Sequence, residues 1–156
     1  MKKTKPIKIY LDTSVYNRPF DDQGQTTVRL ETEAFLSILE KAISGAIIII
    51  GSSALLYENS LNPFPDRKER VSNYLSILSK FVKLNEVIKK RAVLFESIGI
   101  DPIDALHISY AEFGEAEYFV TCDYDIIKKA TRHKDFLKIE VCSPLEFIIK
   151  EVFKNA

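Results

Sequence analysis

The sequence predicts an α/β domain in which helices cover both faces of a central, mainly parallel β-sheet. Short apolar, β-prone segments alternate with segments whose apolar residues recur at helical spacing, the pattern of strand–helix–strand units. The segment Ala46–Ile50 is apolar at every position, as expected of a strand buried on both faces. The length of 156 residues suits one domain. We therefore predict a single domain over 1–156, with its core at about 7–142 and a C-terminal helix at about 144–153.

The predicted elements follow one another in the order β-α-β-α-α-α-α-β-α-β-α. Four apolar runs predict the strands Ile7–Leu11, Ala46–Ile50, Tyr118–Cys122 and Leu137–Cys142. Apolar spacing and breaker residues predict helices at about 30–43, 53–61, 66–81, 86–97, 102–113, 125–131 and 144–153. A polar run that contains Pro19 and Gly24 predicts a loop over Asn17–Gln25.

Single residues mark the ends of several helices. Gly45 is placed to end the first helix, because glycine adopts the backbone conformation that commonly follows a helix C-terminus. Ser52 or Ser53 is a suitable cap for the helix that carries Glu58. Pro102 suits the first turn of its helix, where its missing N–H has no partner to lose.

Composition narrows the class of protein. Apolar residues make up 46% of the chain and charged residues 28%, with 22 basic and 22 acidic side chains, as in ordinary globular proteins. No stretch reaches the roughly 18 uncharged apolar residues that a membrane helix needs. Cys122 and Cys142 lie in strand-like segments, which predicts buried, reduced thiols. We expect a cytoplasmic protein with no membrane partner.

Carboxylates occupy the positions where an α/β sheet binds its ligands. Asp12 and Asp123 each follow a predicted strand directly, and ligands bind beyond the carboxyl ends of parallel strands. Asp104 lies in the first turn of its helix and can point to the same edge. Glu58 lies about two turns into the helix after the second strand. We expect these four acids to converge.

Converging carboxylates raise one another's pKa unless a cation neutralises them. Mg²⁺ and Mn²⁺ prefer oxygen ligands, and such ions can stabilise the attacking water and leaving oxygen of a phosphodiester. The sequence has two histidines and lacks a Cys-x-x-Cys pair, a Walker-type phosphate loop and a Gly-x-Gly-x-x-Gly motif. A site for Mg²⁺ or Mn²⁺ is therefore the predicted use of the four acids.

Other polar residues near these acids are candidates for supporting roles. Thr13 and Ser14 can hold Asp12 by hydrogen bonds or act as helix caps, and Thr121 can orient Asp104 or Asp123 or be a plain strand residue. Asp125 could share the role of Asp123. Arg18 could bind a phosphate, and His107 is either structural or a substrate contact.

The motifs Ile9–Ser14, Glu58, Asp104–His107 and Val120–Asp123 together resemble those of the PIN-domain nucleases, and by pattern the VapC-type toxins of toxin–antitoxin pairs. The resemblance spans roughly residues 7 to 142 and implies a three-layer PIN-like fold. It also implies Mg²⁺- or Mn²⁺-dependent endonucleolytic cleavage of RNA, with the matching acids binding metal and positioning water. In that family an antitoxin peptide commonly crosses the groove, and homodimers are common. The eight acidic residues of Glu96–Asp125, with no Lys or Arg, would suit such a peptide.

The chain departs from the family pattern in the extra carboxylate of Asp125 and in a dense polar loop over Asn17–Asp22. Two other functions remain open. One is a phosphohydrolase of the haloacid-dehalogenase type, whose chemistry needs a second aspartate where this chain has Ser14. The other is a catalytically silent binding module. Hydrolysis of p-nitrophenyl phosphate would identify the first, and poor Mn²⁺ binding would identify the second.

Overall fold

The structure is a computed structural model that describes residues 5–154, without the side chains of residues 77–79 and 152. The strands are β1 (Ile7–Leu11), β2 (Ile47–Ser52), β3 (Ser79–Val82), β4 (Tyr118–Val120) and β5 (Glu140–Cys142). The helices are α1 (Thr13–Asn17), α2 (Thr26–Ile43), α3 (Ser53–Ser60), α4 (Pro65–Leu78), α5 (Glu86–Ser97), α6 (Pro102–Phe113), α7 (Tyr124–Arg132) and α8 (Pro144–Lys154).

The five strands form one sheet in the order β3-β2-β1-β4-β5, and every adjacent pair is parallel. The chain moves from β1 through β2 to β3 and then crosses back to β4 on the other side of β1. The strand order therefore reverses between β1 and β4, and a crevice at the carboxyl ends of two such strands is the usual ligand site of an open α/β sheet. The predicted α/β class with a parallel sheet and flanking helices is confirmed.

The core follows from the apolar strands. Ile9, Ile49 and Phe119 are fully buried on three adjacent strands, and the Phe119 ring stacks on Tyr10 with 5.5 Å between centroids. Helices α2 and α8 pack together, as do α5 and α6. Both cysteines are buried and free, as predicted. Among residues 5–154, no helix combines the length and hydropathy that a membrane span requires.

Several predicted elements were wrong in part. The strand predicted over Tyr118–Cys122 ends at Val120, and the short helix α1 was not predicted. The helix predicted over 66–81 ends at Leu78, and the chain continues as the edge strand β3, which pairs with β2. The loop predicted over Asn17–Gln25 includes the end of α1 and a 3-10 turn at Arg18–Phe20. The strand predicted from Leu137 begins only at Glu140. Residues 1–4 and 155–156 of the predicted domain lie outside the described residues.

Gly45 lies just past α2 as predicted and has a φ of +86°, a left-handed conformation that costs glycine little. The turn returns the chain to the sheet, where the amide of Ile7 donates to the carbonyl of Ala46 over 3.2 Å. This connection sets the register of β2 against β1, in which Tyr10 lies beside Ile50. The register brings the carboxyl ends of β1 and β2 level, so that Asp12 and Ser52 leave the sheet at the same edge.

Candidate metal centre

Asp12 leaves the sheet directly after β1 and is almost completely buried. Its backbone N–H donates to the carbonyl of Val120 on β4 over 2.9 Å, which fixes it at the strand-order reversal. Although Asp12 occupies the N-cap position of α1, its carboxylate makes no capping hydrogen bond within the described chain. A plain helix cap would make that bond. The Asp12 carboxylate therefore does not act as the cap of α1.

Two hydroxyl groups, one on α1 and one directly after β4, donate hydrogen bonds to the Asp12 carboxylate. Its Oδ2 accepts hydrogen bonds from Thr121 Oγ1 at 2.8 Å and from Ser14 Oγ at 2.9 Å. Ser14 Oγ in turn accepts from the backbone N–H of Cys122 over 3.0 Å, which ties α1 to the end of β4. These hydrogen bonds fix the orientation of the carboxylate. The structure thus brings Ser14 to Asp12 as predicted. Thr121, predicted to orient Asp104 or Asp123, donates to Asp12 instead.

Thr13 links the first acid to the second. Its Oγ1 lies 2.8 Å from Glu58 Oε1 and 3.3 Å from Asp12 Oδ1. A threonine hydroxyl carries one proton, so the shorter contact to Glu58 is the hydrogen bond and the contact to Asp12 is weak. The two carboxylates consequently face one another across a single side chain, although they are 46 residues apart in the sequence.

Glu58 is also held by a buried chain of polar groups that the sequence did not reveal. Ser52 Oγ accepts from the N–H of Leu55 at 3.2 Å and lies 2.7 Å from Tyr10 Oη. Tyr10 Oη lies 2.5 Å from His107 Nδ1, and His107 Nε2 contacts Glu58 Oε1. A neutral imidazole protonated at Nε2 accepts from Tyr10 and donates to the carboxylate. In that arrangement each group donates to the next, ending at Glu58.

The pKa shifts agree with this arrangement. Burial holds the pKa of Tyr10 well above its ordinary value, so the phenol keeps the proton it donates. Burial also disfavours ionisation of Glu58, but the hydrogen bond and electrostatic attraction of the His107 N–H and the hydrogen bond from Thr13 outweigh it. The pKa of Glu58 therefore lies below its ordinary value.

Asp104 lies in the first turn of α6 and is partly buried. Burial, followed by the negative charges of Asp12 and Asp123, raises its pKa from 3.8 to about 6. The charges of both acids therefore act on Asp104. Among the described residues, the group whose ligand atoms lie close together consists of Asp12, Glu58 and His107. Asp104 and Asp123 are outside that group, so the convergence of residues 12, 104 and 123 stays a prediction.

Asp123 differs from Asp12 in its surroundings. It is exposed, and its Oδ1 accepts from the backbone N–H groups of Asp125 at 2.9 Å and Ile126 at 3.4 Å, capping α7. Asp123 therefore caps α7, in line with the alternative prediction of a plain turn residue. Its negative charge also acts on Asp104. Asp125 is also exposed and contributes its backbone N–H to Asp123.

The two residues predicted as possible substrate contacts, His107 and Arg18, lie in different surroundings. His107 is fully buried, with 0% of its surface exposed, which favours the structural alternative over a substrate contact. Both its ring nitrogens are already engaged with Tyr10 and Glu58. Arg18 donates twice to Glu31 Oε1, at 3.0 and 2.7 Å, and once to Asp21 at 3.3 Å. These carboxylates would compete with a phosphate for its guanidinium.

The donor set fits a divalent cation. Ligand atoms of Asp12, Glu58 and His107 all lie within 4.8 Å of one another. Because His107 Nε2 faces Glu58, the oxygens of Asp12 and Glu58 remain as donors, and Mg²⁺ or Mn²⁺ prefers oxygen. Burial and, after it, the charges of Asp12 and Asp123 raise the pKa of Asp104, and a cation would offset the effect of those charges.

Comparison with known proteins identifies the fold. No family's sequence profile matches the chain, and no curated protein matches it in sequence. Solved structures match it over 88% of its length and 98% of theirs. They include FitAcB from Neisseria gonorrhoeae (TM-score 0.58, 17% identity), VapBC2 from Rickettsia felis bound to a DNA fragment from their promoter (0.56, 15%) and DNA-bound VapBC from Salmonella typhimurium (0.51, 14%). The chain has a PIN-like fold.

At these sequence identities the likeness establishes the PIN-like fold alone. The roles of the acids depend on the geometry of this chain, in which the end of β1 and α3 bring Asp12 and Glu58 to either side of Thr13.

Proposed function

We propose that this protein is a Mg²⁺- or Mn²⁺-dependent endoribonuclease and the toxin of a toxin–antitoxin pair. The observation that carries the proposal is the pairing of Asp12 with Glu58 at the strand-order reversal, supported by the effect of the Asp12 and Asp123 charges on Asp104. Hydroxyl groups orient the Asp12 carboxylate, and the hydrogen bonds from His107 and Thr13 keep the pKa of Glu58 below its ordinary value. Such a site favours a cation over a neutral ligand.

In this proposal Asp12, Glu58, Asp104 and Asp123 hold the metal ion. When bound, the ion supplies the electrophilic assistance that hydrolysis of a phosphodiester needs. The protein's own contribution is positioning: Ser14 and Thr121 fix the oxygens of Asp12, while Thr13 and His107 fix those of Glu58. Preorganised donors of this kind avoid a reorganisation cost during reaction.

The partner is proposed on two grounds. FitAcB and the two VapBC assemblies are similar to this chain in fold. The acidic segment Glu96–Asp125 would attract a basic antitoxin peptide to the edge of the sheet where the acids lie. A homodimer and a cytoplasmic location remain predictions that accompany this proposal. Co-expression with a small DNA-binding protein encoded next to this gene, followed by co-purification, tests the partnership.

The activity is tested with purified protein and two RNA substrates, one single-stranded and one a hairpin, each with Mn²⁺ or Mg²⁺. We expect internal cleavage that EDTA abolishes. Asp12→Asn should remove cleavage while circular dichroism shows a retained fold. Asp135→Asn, which changes an exposed aspartate between α7 and β5, serves as the control and should cut normally. Cleavage by Asp12→Asn at the normal rate would contradict the site assignment.

The two remaining alternatives give different results in the same preparation. A haloacid-dehalogenase-type phosphohydrolase would release phosphate from p-nitrophenyl phosphate and leave RNA intact. A silent module would do neither. Ser14, which stands where the phosphohydrolase chemistry needs an aspartate, instead bridges Asp12 and the Cys122 backbone. This arrangement favours the nuclease.

A further inference from the structure

A cavity of about 310 Å³ adjoins the proposed metal site and has no role in the account so far. Thr13 and Glu58 form its inner wall, and Asn17, Asn62 and Phe64 line the rest with Arg67. Small-molecule sites measure roughly 300–1,000 Å³, so this volume suits one unit of an extended strand and not a duplex. A ligand in the cavity would lie directly beside the acids.

The outer wall of the cavity is rigid although it lies in a loop between α3 and α4. Asn62 Nδ2 donates to Asn17 Oδ1 over 3.2 Å, and Asn62 Oδ1 accepts from the Phe64 backbone N–H at 3.1 Å. Asn59 Nδ2 donates to the carbonyl of Lys68 at 2.9 Å and so ties α3 to α4. The position of Phe64 is therefore set before any ligand binds.

Phe64 presents an aromatic surface that the fold does not cover. The residue is 58% exposed. The guanidinium carbon of Arg67 lies 5.1 Å from the Phe64 ring centroid and 5.7 Å from that of Phe20, so the three planar groups form a cluster. Burying an aromatic ring stabilises a protein, so an anchored and exposed ring at a cavity mouth is a candidate binding surface.

The charges at this cavity indicate which part of a nucleotide it would take. Arg67 is already neutralised, since it donates to Asp21 Oδ1 at 3.4 Å and to the carbonyl of Phe20 at 2.7 Å. The other charged lining group is Glu58, which would repel a phosphate. Asn17 Nδ2 donates to the carbonyl of Thr13 and Asn62 Nδ2 donates to Asn17 Oδ1, so each amide keeps a second N–H that can donate to the edge of a base. Aromatic rings stack on unpaired bases.

We propose that this cavity is a base-binding subsite, in which one unstacked base of single-stranded RNA lies on Phe64 beside the metal site. This inference rests on the proposed nuclease function and names its substrate more closely. It predicts that the enzyme selects single-stranded or looped RNA, because a paired base could not enter. Stacking on one aromatic side chain changes affinity about tenfold, which is the effect expected of Phe64.

The experiment measures binding of a fluorescein-labelled single-stranded RNA heptamer by anisotropy with Mg²⁺, in an Asp104→Asn background that preserves the probe. Phe64→Ala should weaken binding about tenfold and Phe64→Tyr should restore it. Phe153→Ala, which removes an exposed ring on α8 that does not line the cavity, should have no effect.

A scan of abasic substitutions through the probe makes the test specific to stacking. One position should lose about tenfold in affinity when Phe64 is present and almost nothing in Phe64→Ala. The proposal is overturned if Phe64→Ala binds the intact probe normally, if the abasic penalty persists in that variant, or if the parent chain does not bind the heptamer.

Failure of this inference is distinguishable from failure of the nuclease proposal. If Phe64→Ala cuts RNA in a metal-dependent way with an unchanged KM, the subsite proposal is wrong and the nuclease proposal stands. If RNA binding depends on Phe64 but the protein does not cut RNA, the subsite proposal stands and the nuclease proposal is wrong.

Discussion

Removing the charge of Asp104 should make the metal-free protein more stable. Burial and the charges of Asp12 and Asp123 raise the pKa of Asp104 from 3.8 to about 6. A difference of that size corresponds to about 3 kcal/mol for a fully desolvated group. Because Asp104 is only partly buried, solvent screening reduces the effect, and we expect Asp104→Asn to add about 1.5 kcal/mol to the free energy of unfolding at pH 7.5.

The same shift fixes the pH dependence. A carboxyl group whose pKa is higher in the folded state binds more protons folded than unfolded between about pH 4 and pH 6. The contribution of Asp104 to the free energy of unfolding therefore falls as the pH rises through that window and stays constant above it. The advantage of Asp104→Asn over the natural protein should be small at pH 4 and complete by pH 7.

Urea denaturation followed by circular dichroism, in EDTA, measures both quantities. Asp135→Asn, at an exposed position, is the matched control and should leave the free energy of unfolding unchanged. Equal stability of Asp104→Asn and the natural protein at pH 7.5, or a difference that does not change between pH 4 and pH 7, would refute the argument that like charges converge on Asp104.

Three further substitutions test other parts of the structure. Tyr10→Phe leaves His107 Nδ1 and Ser52 without their shared partner, so it should lower the free energy of unfolding by about 2 kcal/mol and lower kcat for RNA about tenfold at an unchanged KM. Glu31→Gln weakens the buried pair with Arg18 and should lower the midpoint of urea denaturation by the equivalent of about 2 kcal/mol, whereas Glu33→Gln on the exposed side of α2 should not. Gly114→Ala places a methyl group 3.0 Å from two carbons of Ile50, so a loss of about 1 kcal/mol in the same assay is expected, and unchanged stability would contradict the close packing.

Much of the fold could be predicted because its central strands carry strong local signals. Ile7–Leu11 matches β1 in both bounds, and the run Ala46–Ile50 lies within one residue of the start of β2. Edge strand β3 could not be predicted in this way. It is four residues long and follows α4 without a break, and its exposed Lys80 and Phe81 give no alternation of buried and exposed positions. Only pairing with β2 makes it a strand.

The candidate site could also be predicted only in part: the sequence indicates the aspartates, but not the hydrogen bonds that hold Glu58. Asp12, Asp104 and Asp123 stand at element boundaries, which the sequence reveals. The chain from Tyr10 through His107 to Glu58 joins residues that are 97 and 49 positions apart, so no spacing rule connects them. His107 lies one turn beyond Asp104 on a helix, and that position left both a structural role and a substrate contact open. Packing of α6 against the sheet buries it.

The claim on which the rest depends is that these acids form one cation site. Calorimetric titration with Mn²⁺ tests it without any assumption about the substrate. We expect the natural protein to bind Mn²⁺ with an affinity that falls at least tenfold in Asp12→Asn and in Asp104→Asn, but not in Asp135→Asn. Equal Mn²⁺ affinity in all four proteins would contradict the claim.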